Sequence, residues 1–411
     1  MRSRALLAVA LVATACSTAV PEAEPFLGVW ASAGWGVILD IHGGSADVYE
    51  VSAAQCLLAR AGSARNIDDV VSLKGERLIL DDGGRVIGFD RLAALPEACT
   101  LAPDSSSAAV VVAVIAAVEE HYYPGVDAGW QDRVAALVVP PDGDDASLAS
   151  AVEALLEPLD DPQVALQAGS SLWNAVPPGV PDDLAAGLAA GTLLPGATIV
   201  GAGALVATDL GGGVRYLGFL RLGGFADSTD GSQRVVAAAL DSSLDGAAGL
   251  VLDLRAATTG AETEALLVAT RFVATPTVVA TRHVRLEDGS MEAAGDATVN
   301  PMPTGPFPGR VVVLVGPGTS GPAELLALAL APLPTVTIVG EPTAGSPRSP
   351  LVRGLPNGWL LGIPNVEVIT ADGTSRVGAP LVPDVSAPVT HDDLVAGRDP
   401  GLDAARAVLE S

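Results

Sequence analysis

From residue 26 to about residue 100 the chain alternates apolar and polar residues in short runs, Gly36 to Ile41, Asp47 to Val51 and Arg77 to Leu80 among them, separated by Gly-Gly and Asp-Gly turns. That pattern predicts a small antiparallel β-domain over residues 26–103. From Ser105 to Leu166 the apolar spacing turns helical, with helices expected at Ala108 to Tyr122, Trp130 to Val138 and Ser147 to Leu156, the last behind the acidic loop Asp142 to Asp145. Residues 104–196 therefore read as a helical connector. From about Ala197 near-continuous apolar strands alternate with helices. The strands are Arg215 to Arg221, Gly249 to Leu254, Thr277 to Thr281, Arg310 to Val315 and Thr335 to Val339, and the helices Ser232 to Leu240, Ala261 to Phe272 and Pro322 to Leu330. Such alternation predicts an α/β core over residues 197–411, a largely parallel sheet covered by helices.

Composition narrows the function. The 411 residues carry 48 acids and 22 bases, a formal net charge of −26, with 49% apolar and 17% charged residues. A chain this apolar folds rather than remaining disordered, and a field this negative repels phosphate backbones, so nucleic acid is not an expected partner. Lys74 is the single lysine, which leaves no Gly-Lys-Ser/Thr phosphate loop and no other candidate for lysine chemistry. Gly211-Gly212-Gly213 lacks the spacing of a dinucleotide fingerprint. His42, His121, His283 and His391 lie far apart with no H-E-x-x-H pair, so no metal and no cofactor are expected. The pair Asp392 and Asp393 reads as a helix N-terminal cluster.

The N-terminus reads as an address. Two arginines within Met1 to Arg4 precede the apolar run Ala5 to Ala15, too short to span a bilayer, and Ala13-Thr14-Ala15-Cys16 resembles a bacterial lipobox. The expectation is a signal peptide over residues 1–16, lipidation of Cys16, a polar tether over 17–25 and a lipid-anchored place in the cell envelope, at the outer membrane or periplasmic face; an ordinary cleaved signal and secretion is the alternative. Cys56 and Cys99 then remain as an even pair in an exported protein, and a structural disulfide is the favoured reading, worth about 4 kcal/mol in the chain-entropy picture.

The segment with most chemical content is Gly316-Pro317-Gly318-Thr319-Ser320-Gly321-Pro322-Ala323-Glu324, a glycine loop between a buried strand and an apolar helix. Such a junction suits a nucleophile or an anion, because the first helical amides point at the loop. Gly321 suits the N-cap, Pro322 the first helical position and Glu324 the third, so a well-formed cap is the plainer reading.

The order of several motifs resembles the tail-specific, or C-terminal processing, serine peptidases, including the core of tricorn protease. Leu250-Val251-Leu252-Asp253-Leu254-Arg255 resembles the strand before the family's glycine-bearing oxyanion loop, which places Gly260 in that loop. Thr319 to Glu324 resembles the nucleophile motif T-x-S-A-A-E, and Gly340-Glu341-Pro342-Thr343-Ala344-Gly345 resembles G-E-x-T-x-G. Leu355 to Trp359, Asp372-Gly373 and Val382-Pro383-Asp384-Val385 resemble the closing hairpin and the P-D-V/I signature, and Gly397 to Ala405 resembles the final helix. The resemblance implies a crotonase/Clp-protease-like core. Leu166 to Ala197 is too short for a PDZ domain, so the resemblance is to the tricorn-core-like branch without one.

Carried over residue by residue, the same resemblance implies a site without its chemistry. The nucleophile position, three residues before the motif glutamate, is Gly321. The oxyanion donor that follows it is Pro322, which has no N–H. The histidine of a D-G-H-V segment aligns with Gln163 in Asp161-Pro162-Gln163-Val164, the supporting glutamate with Val377, and the lysine of the Ser-Lys branch with Ser346. The expectation is a non-catalytic peptidase relative, a pseudopeptidase, that binds an extended polypeptide or a protein C-terminus or serves as a scaffold. The rival is an active serine endopeptidase or carboxyl-terminal processing enzyme using Ser320, or Ser346, in an altered site; an acid or base side chain within about 3 Å of either hydroxyl would mark it. A third class, a structural envelope protein, would show a groove closed by its own side chains.

Overall fold

A computed structural model describes residues 24–42, 45–60, 71–81, 85–175 and 182–411. The expected signal peptide, Cys16 and most of the tether lie outside the described residues. The first seven strands are β1 (Gly28–Ser32), β2 (Val37–His42), β3 (Ser45–Ser52), β4 (Gln55–Arg60), β5 (Val71–Lys74), β6 (Arg77–Asp81) and β7 (Val86–Leu92). They form one antiparallel sheet in the order β4-β3-β2-β1-β7-β6-β5. Alternation along these strands sends Trp30, Leu39, Leu78 and Phe89 into the core. The Trp30 indole donates to Phe26 O at 2.7 Å, and the Arg91 guanidinium lies 4.2 Å from the centre of its ring. The expected disulfide joins Cys56 on β4 to Cys99 in a short 3-10 turn, Glu97–Thr100.

Helices α1 (Ser107–His121), α2 (Trp130–Ala136) and α3 (Asp145–Leu156) follow, close to where their spacing predicts them. Ser106 and Asp144 cap α1 and α3 by accepting from Ala109 N and Ser147 N. Val110, Val114 and Val118 of α1 pack with Leu148, Val152 and Leu155 of α3 in a core of their own. The connector is not helical throughout. It contains β8 (Ala165–Ala168) and β9 (Ser171–Asn174) before α4 (Asp182–Ala190).

The α/β core runs β10 (Thr198–Val200), β11 (Leu205–Gly211), β12 (Val214–Phe219), α5 (Thr229–Leu244), β13 (Gly249–Asp253), α6 (Glu262–Ala269), β14 (Thr277–Arg285), β15 (Met291–Val299), β16 (Arg310–Val315), α7 (Pro322–Leu330) and β17 (Val336–Gly340). It closes with β18 (Leu351–Gly354), β19 (Leu360–Ile363), β20 (Val366–Thr370), β21 (Val385–Ser386), α8 (His391–Val395) and α9 (Pro400–Glu410). The central sheet has the order β10-β11-β12-β13-β16-β17-β21, parallel from β12 to β21 with β10 and β11 antiparallel at one edge. One expectation fails. The strand read at Thr277 to Thr281 does not join this sheet, because β13 and β16 pair directly. Instead β14 extends to Arg285, buries alternate residues and forms an antiparallel sheet in the order β15-β14-β20. A fourth sheet, β18-β19-β8-β9, ties the closing hairpin to the connector.

Two buried polar junctions hold these parts. At the C-terminal end of β13, Arg255 Nη2 donates to Asp253 Oδ2 at 2.6 Å, and Arg255 donates to both oxygens of Asp399 at 2.8 Å; Tyr216 OH adds a bond to Asp253 at 2.8 Å. At the docking face of the N-terminal sheet, Arg353 donates to Trp35 O, Glu50 accepts from Gly354 N at 2.5 Å, and Gln55 donates to Gly354 O at 2.9 Å. His121 is buried beside them. Burial first, and then the charge of Arg353, push its pKa down to about 3.

Two predictions follow from these junctions. Replacing Arg255 with Met should cost about 3–5 kcal/mol in urea unfolding, because Asp253 and Asp399 would stay buried without a cation. Since His121 is neutral in the fold but takes up a proton near pH 6.5 when unfolded, stability should fall as pH drops from about 6.5 towards 3, at on the order of 1 kcal/mol per pH unit. In His121→Gln, urea midpoints across that range should show a shallower decline.

Candidate functional site

Strand β16 delivers the loop 316–321 to helix α7. Thr319 staples the loop to the neighbouring strand end: its Oγ1 accepts from Gly316 N at 3.0 Å and donates to Leu254 O at 3.0 Å. Gly321 then takes φ 56° and ψ −131°, a backbone conformation that residues with a Cβ avoid, and becomes the N-cap of α7 with Pro322 at its first position. The Gly321 amide donates to Ser346 O at 2.7 Å. A Cβ built on Gly321 would lie 3.4 Å from Arg348 O and 3.9 Å from Gln163 Nε2. The structure therefore places Gly321 next to the Gln163 amide, from segments about 160 residues apart.

The remaining family positions fall around this pair. Ser346 follows the loop that covers Gly321; its Oγ is buried without a hydrogen-bond partner. Val377 lies beside it, since Gly378 N donates to Gly345 O at 2.8 Å. Ser320 is only 7% exposed, and its Oγ donates to Thr258 O at 3.1 Å, a carbonyl that cannot serve as a base. Neither Ser320 nor Ser346 makes a hydrogen bond to an acid or base side chain among the described residues. Gly260 forms an isolated bridge with Leu222, beyond the end of β12, whose carbonyl oxygen would sit 2.3 Å from an added Cβ. Close backbone approach thus accounts for this glycine. Lys74 sits on β5, the outermost strand of the N-terminal sheet.

Two buried acids organise the loops. Asp161 Oδ1 accepts from Gln163 N at 2.9 Å, and Asp161 Oδ2 pairs with Arg348 Nη2 at 2.5 Å. This pair joins the 161–164 loop to the 341–348 segment, a link that the sequence does not reveal because 187 residues separate its members. Burial, followed by the charge of Asp161, raises the pKa of the neighbouring Tyr122 hydroxyl. The second acid corrects an expectation. Glu324, at the third position of α7, does not reach back to cap its own helix. It turns inward, accepting from Gly345 N at 3.0 Å, from Ser346 N at 2.7 Å and from the Thr343 hydroxyl. Burial pushes its pKa up to about 7 against the opposing pull of those hydrogen bonds.

The chemistry open to this arrangement is limited. An attacking oxygen needs a partner that accepts its proton and a donor for the oxyanion. At position 321 there is no side chain, the adjacent amide of Gln163 does not titrate, Arg348 is already paired with Asp161, and Pro322 offers no N–H. Room is also scarce. The crevice beside the glycine loop, walled by Pro317, Gly318, Glu341 and Val389, holds about 10 Å³, roughly one water. A roomier cleft of about 370 Å³ lies at the opposite end of the parallel strands, between Gly211, Arg310 and Leu409. Among the described residues no cluster of three or more His, Cys, Asp or Glu could hold a metal ion, and no helix is long and apolar enough to cross a membrane.

Fold and site together define a peptidase-type α/β core. The sequence model of peptidase family S41 matches residues 216–387. No curated protein matches the chain in sequence. Among solved structures, a candidate peptidase from Parabacteroides merdae shares the fold at a TM-score of 0.61 and 18% identity, covering 75% of this chain and 98% of its own. A lipoprotein from Streptococcus agalactiae aligns at 14% identity and a TM-score of 0.46 over 78% of this chain and 99% of its own. The photosystem II D1 C-terminal processing protease aligns at 17% identity and 0.42, over 75% and 98%. These last two likenesses are too distant to carry an argument.

Because the nearest atoms leave space for a Cβ at 321, backbone strain alone should set the cost of adding one. Gly321→Ala and Gly321→Ser should each lose about 1–2 kcal/mol in urea unfolding, with little difference between them.

Proposed function

We propose that this is an exported, lipid-anchored protein of the S41 peptidase fold that binds an extended polypeptide or a protein C-terminus without hydrolysing it. The observation that carries the reading is the pairing at the centre of the site, a glycine where the nucleophile would stand and a glutamine amide beside it. Losing one member of a coupled catalytic set forfeits nearly all that the set contributes, and here the hydroxyl, the base and the oxyanion donor are all replaced. The peptide as ligand follows from the family. Strand addition is favoured at β9, an edge strand that continues the Gln163 segment through β8 and exposes Leu172. Anchoring rests on Cys16, and an envelope location on the signal that precedes it. Nucleic acid is left out by the charge.

A second reading, a structural envelope protein whose contacts are made by the N-terminal sheet, is favoured by the small volume beside the glycine loop. The catalytic alternative would have to use Ser320, whose hydroxyl is turned to a backbone carbonyl.

The test is chemical. Incubated with a serine-directed fluorophosphonate, the wild-type protein should remain unlabelled, and an unfolded polypeptide should bind, by fluorescence anisotropy, without being cut. The variant Gly321→Ser with Gln163→His, which puts an oxygen and an imidazole at neighbouring positions, should label slowly. Labelling of the wild type that disappears in Ser320→Ala would overturn the proposal, and absence of any peptide binding would favour the structural reading.

A further inference from the structure

Two buried arginines of the chain sit in settings that match group by group. Asp253 accepts from the backbone amide two residues on, Arg255 N at 3.0 Å, from the Arg255 guanidinium and from the Tyr216 hydroxyl. Asp161 likewise accepts from the amide two residues on, Gln163 N at 2.9 Å, and from Arg348 Nη2 at 2.5 Å, with the Tyr122 hydroxyl 3.4 Å away. Both aspartates, both arginines and both tyrosines are buried. The settings differ in one member. Arg255 has a second carboxylate, Asp399, which takes Nη1 and Nη2 at 2.8 Å, so every guanidinium nitrogen has an acceptor. Arg348 has only Asp161 among the described residues, and its Nε and Nη1 are buried without a partner. Buried donors without acceptors are costly, charged ones most of all.

We propose that Arg348 receives a second carboxylate, the α-carboxylate of a polypeptide C-terminus, in the place that Asp399 takes at Arg255. The inference rests on the peptide-binding reading above and names the group that recognises the chain end. Neutral donors lie close by. Ser346 Oγ, two residues before Arg348, is buried with no partner, and Gln163 Nε2 lies 3.9 Å from the point a Cβ on Gly321 would occupy. The Tyr123 ring, centred 6.0 Å from Arg348 Cζ and only half-buried, is the side chain that must swing aside to admit a chain end.

Charge decides the source of the carboxylate. Two carboxylates on one guanidinium leave one net negative charge, and the Arg255 cluster holds that charge with a tyrosine hydroxyl and a backbone amide as added donors. A dissolved small anion would also have to enter the field of a chain with net charge −26, whereas a basic polypeptide brings compensating charge with its end.

Fluorescence anisotropy of the full chain with a basic, unstructured peptide labelled at its N-terminus tests this. The peptide is made with a free C-terminal acid, with a C-terminal amide, and as the amide with a glutamate near its end. The acid should bind about 10- to 100-fold tighter than either amide, as expected for hydrogen bonds to a charged group. Asp161→Asn combined with Arg348→Gln, which removes the buried pair together, should bring the acid down to the affinity of the amide and leave the amide unchanged. Ser346→Ala should weaken the acid alone, by about fivefold, and carries the test if the double variant does not fold. Equal binding of acid and amide, acid-like binding of the glutamate peptide, displacement of the acid by millimolar acetate, or an acid preference unchanged by the variants would each overturn the assignment while leaving peptide binding in place. If no peptide binds in any form, the peptide-binding reading falls and the assignment with it, so the two failures are distinct.

Discussion

The arrangement of the site depends on one short contact, the hydrogen bond from Gly321 N to Ser346 O at 2.7 Å. It forms because Gly321 adopts a backbone conformation closed to other residues, so that the chain turns from β16 into α7 within a single residue and aims its amide sideways. Once that amide is engaged, the 341–348 segment has to lie over the turn. Asp161 then meets Arg348, the 161–164 loop is drawn in, and Gln163 arrives beside the glycine. Three stretches of chain converge at a point where no side chain of residue 321 exists to separate them.

Much of the fold was legible in the sequence because it is encoded locally. The apolar runs of β13 and β16, the glycine loop after β16 and the Gly-Pro pair that starts α7 each announce themselves over a few residues. What was not legible depends on distant partners. The nine residues of β14 begin like a buried parallel strand, and only pairing with β20, about 85 positions later, reveals the antiparallel sheet. The four-residue strands β8 and β9 sit inside a stretch that otherwise reads as helical, and their hairpin partner β19 is far along the chain. The direction of the Glu324 side chain was misjudged for the same reason. Its position on α7 suits a cap, but its hydrogen bonds go to a loop that no helical rule could bring there.

The motif resemblance and the chemistry part company at the level of single atoms. A peptidase core of this family is recognised through its strands, turns and glycines, and residues 216–387 retain enough of them to match. Catalysis needs particular atoms at the end of that framework. Pro322 takes the first helical position, where it has no N–H to offer, and the Gln163 carboxamide, which does not titrate, lies beside Gly321.

Asp399, at the start of α9, neutralises Arg255 from 144 residues further along the chain. On the ribosome, β13 is thus synthesised long before its counter-ion. Until α9 has emerged, the guanidinium lacks one of its two carboxylates, and the end of the central sheet has reason to stay hydrated and loosely packed. Completion of the core is in this way postponed until after translation of α9, so the last helix of the chain acts as the latch on its first parallel strands.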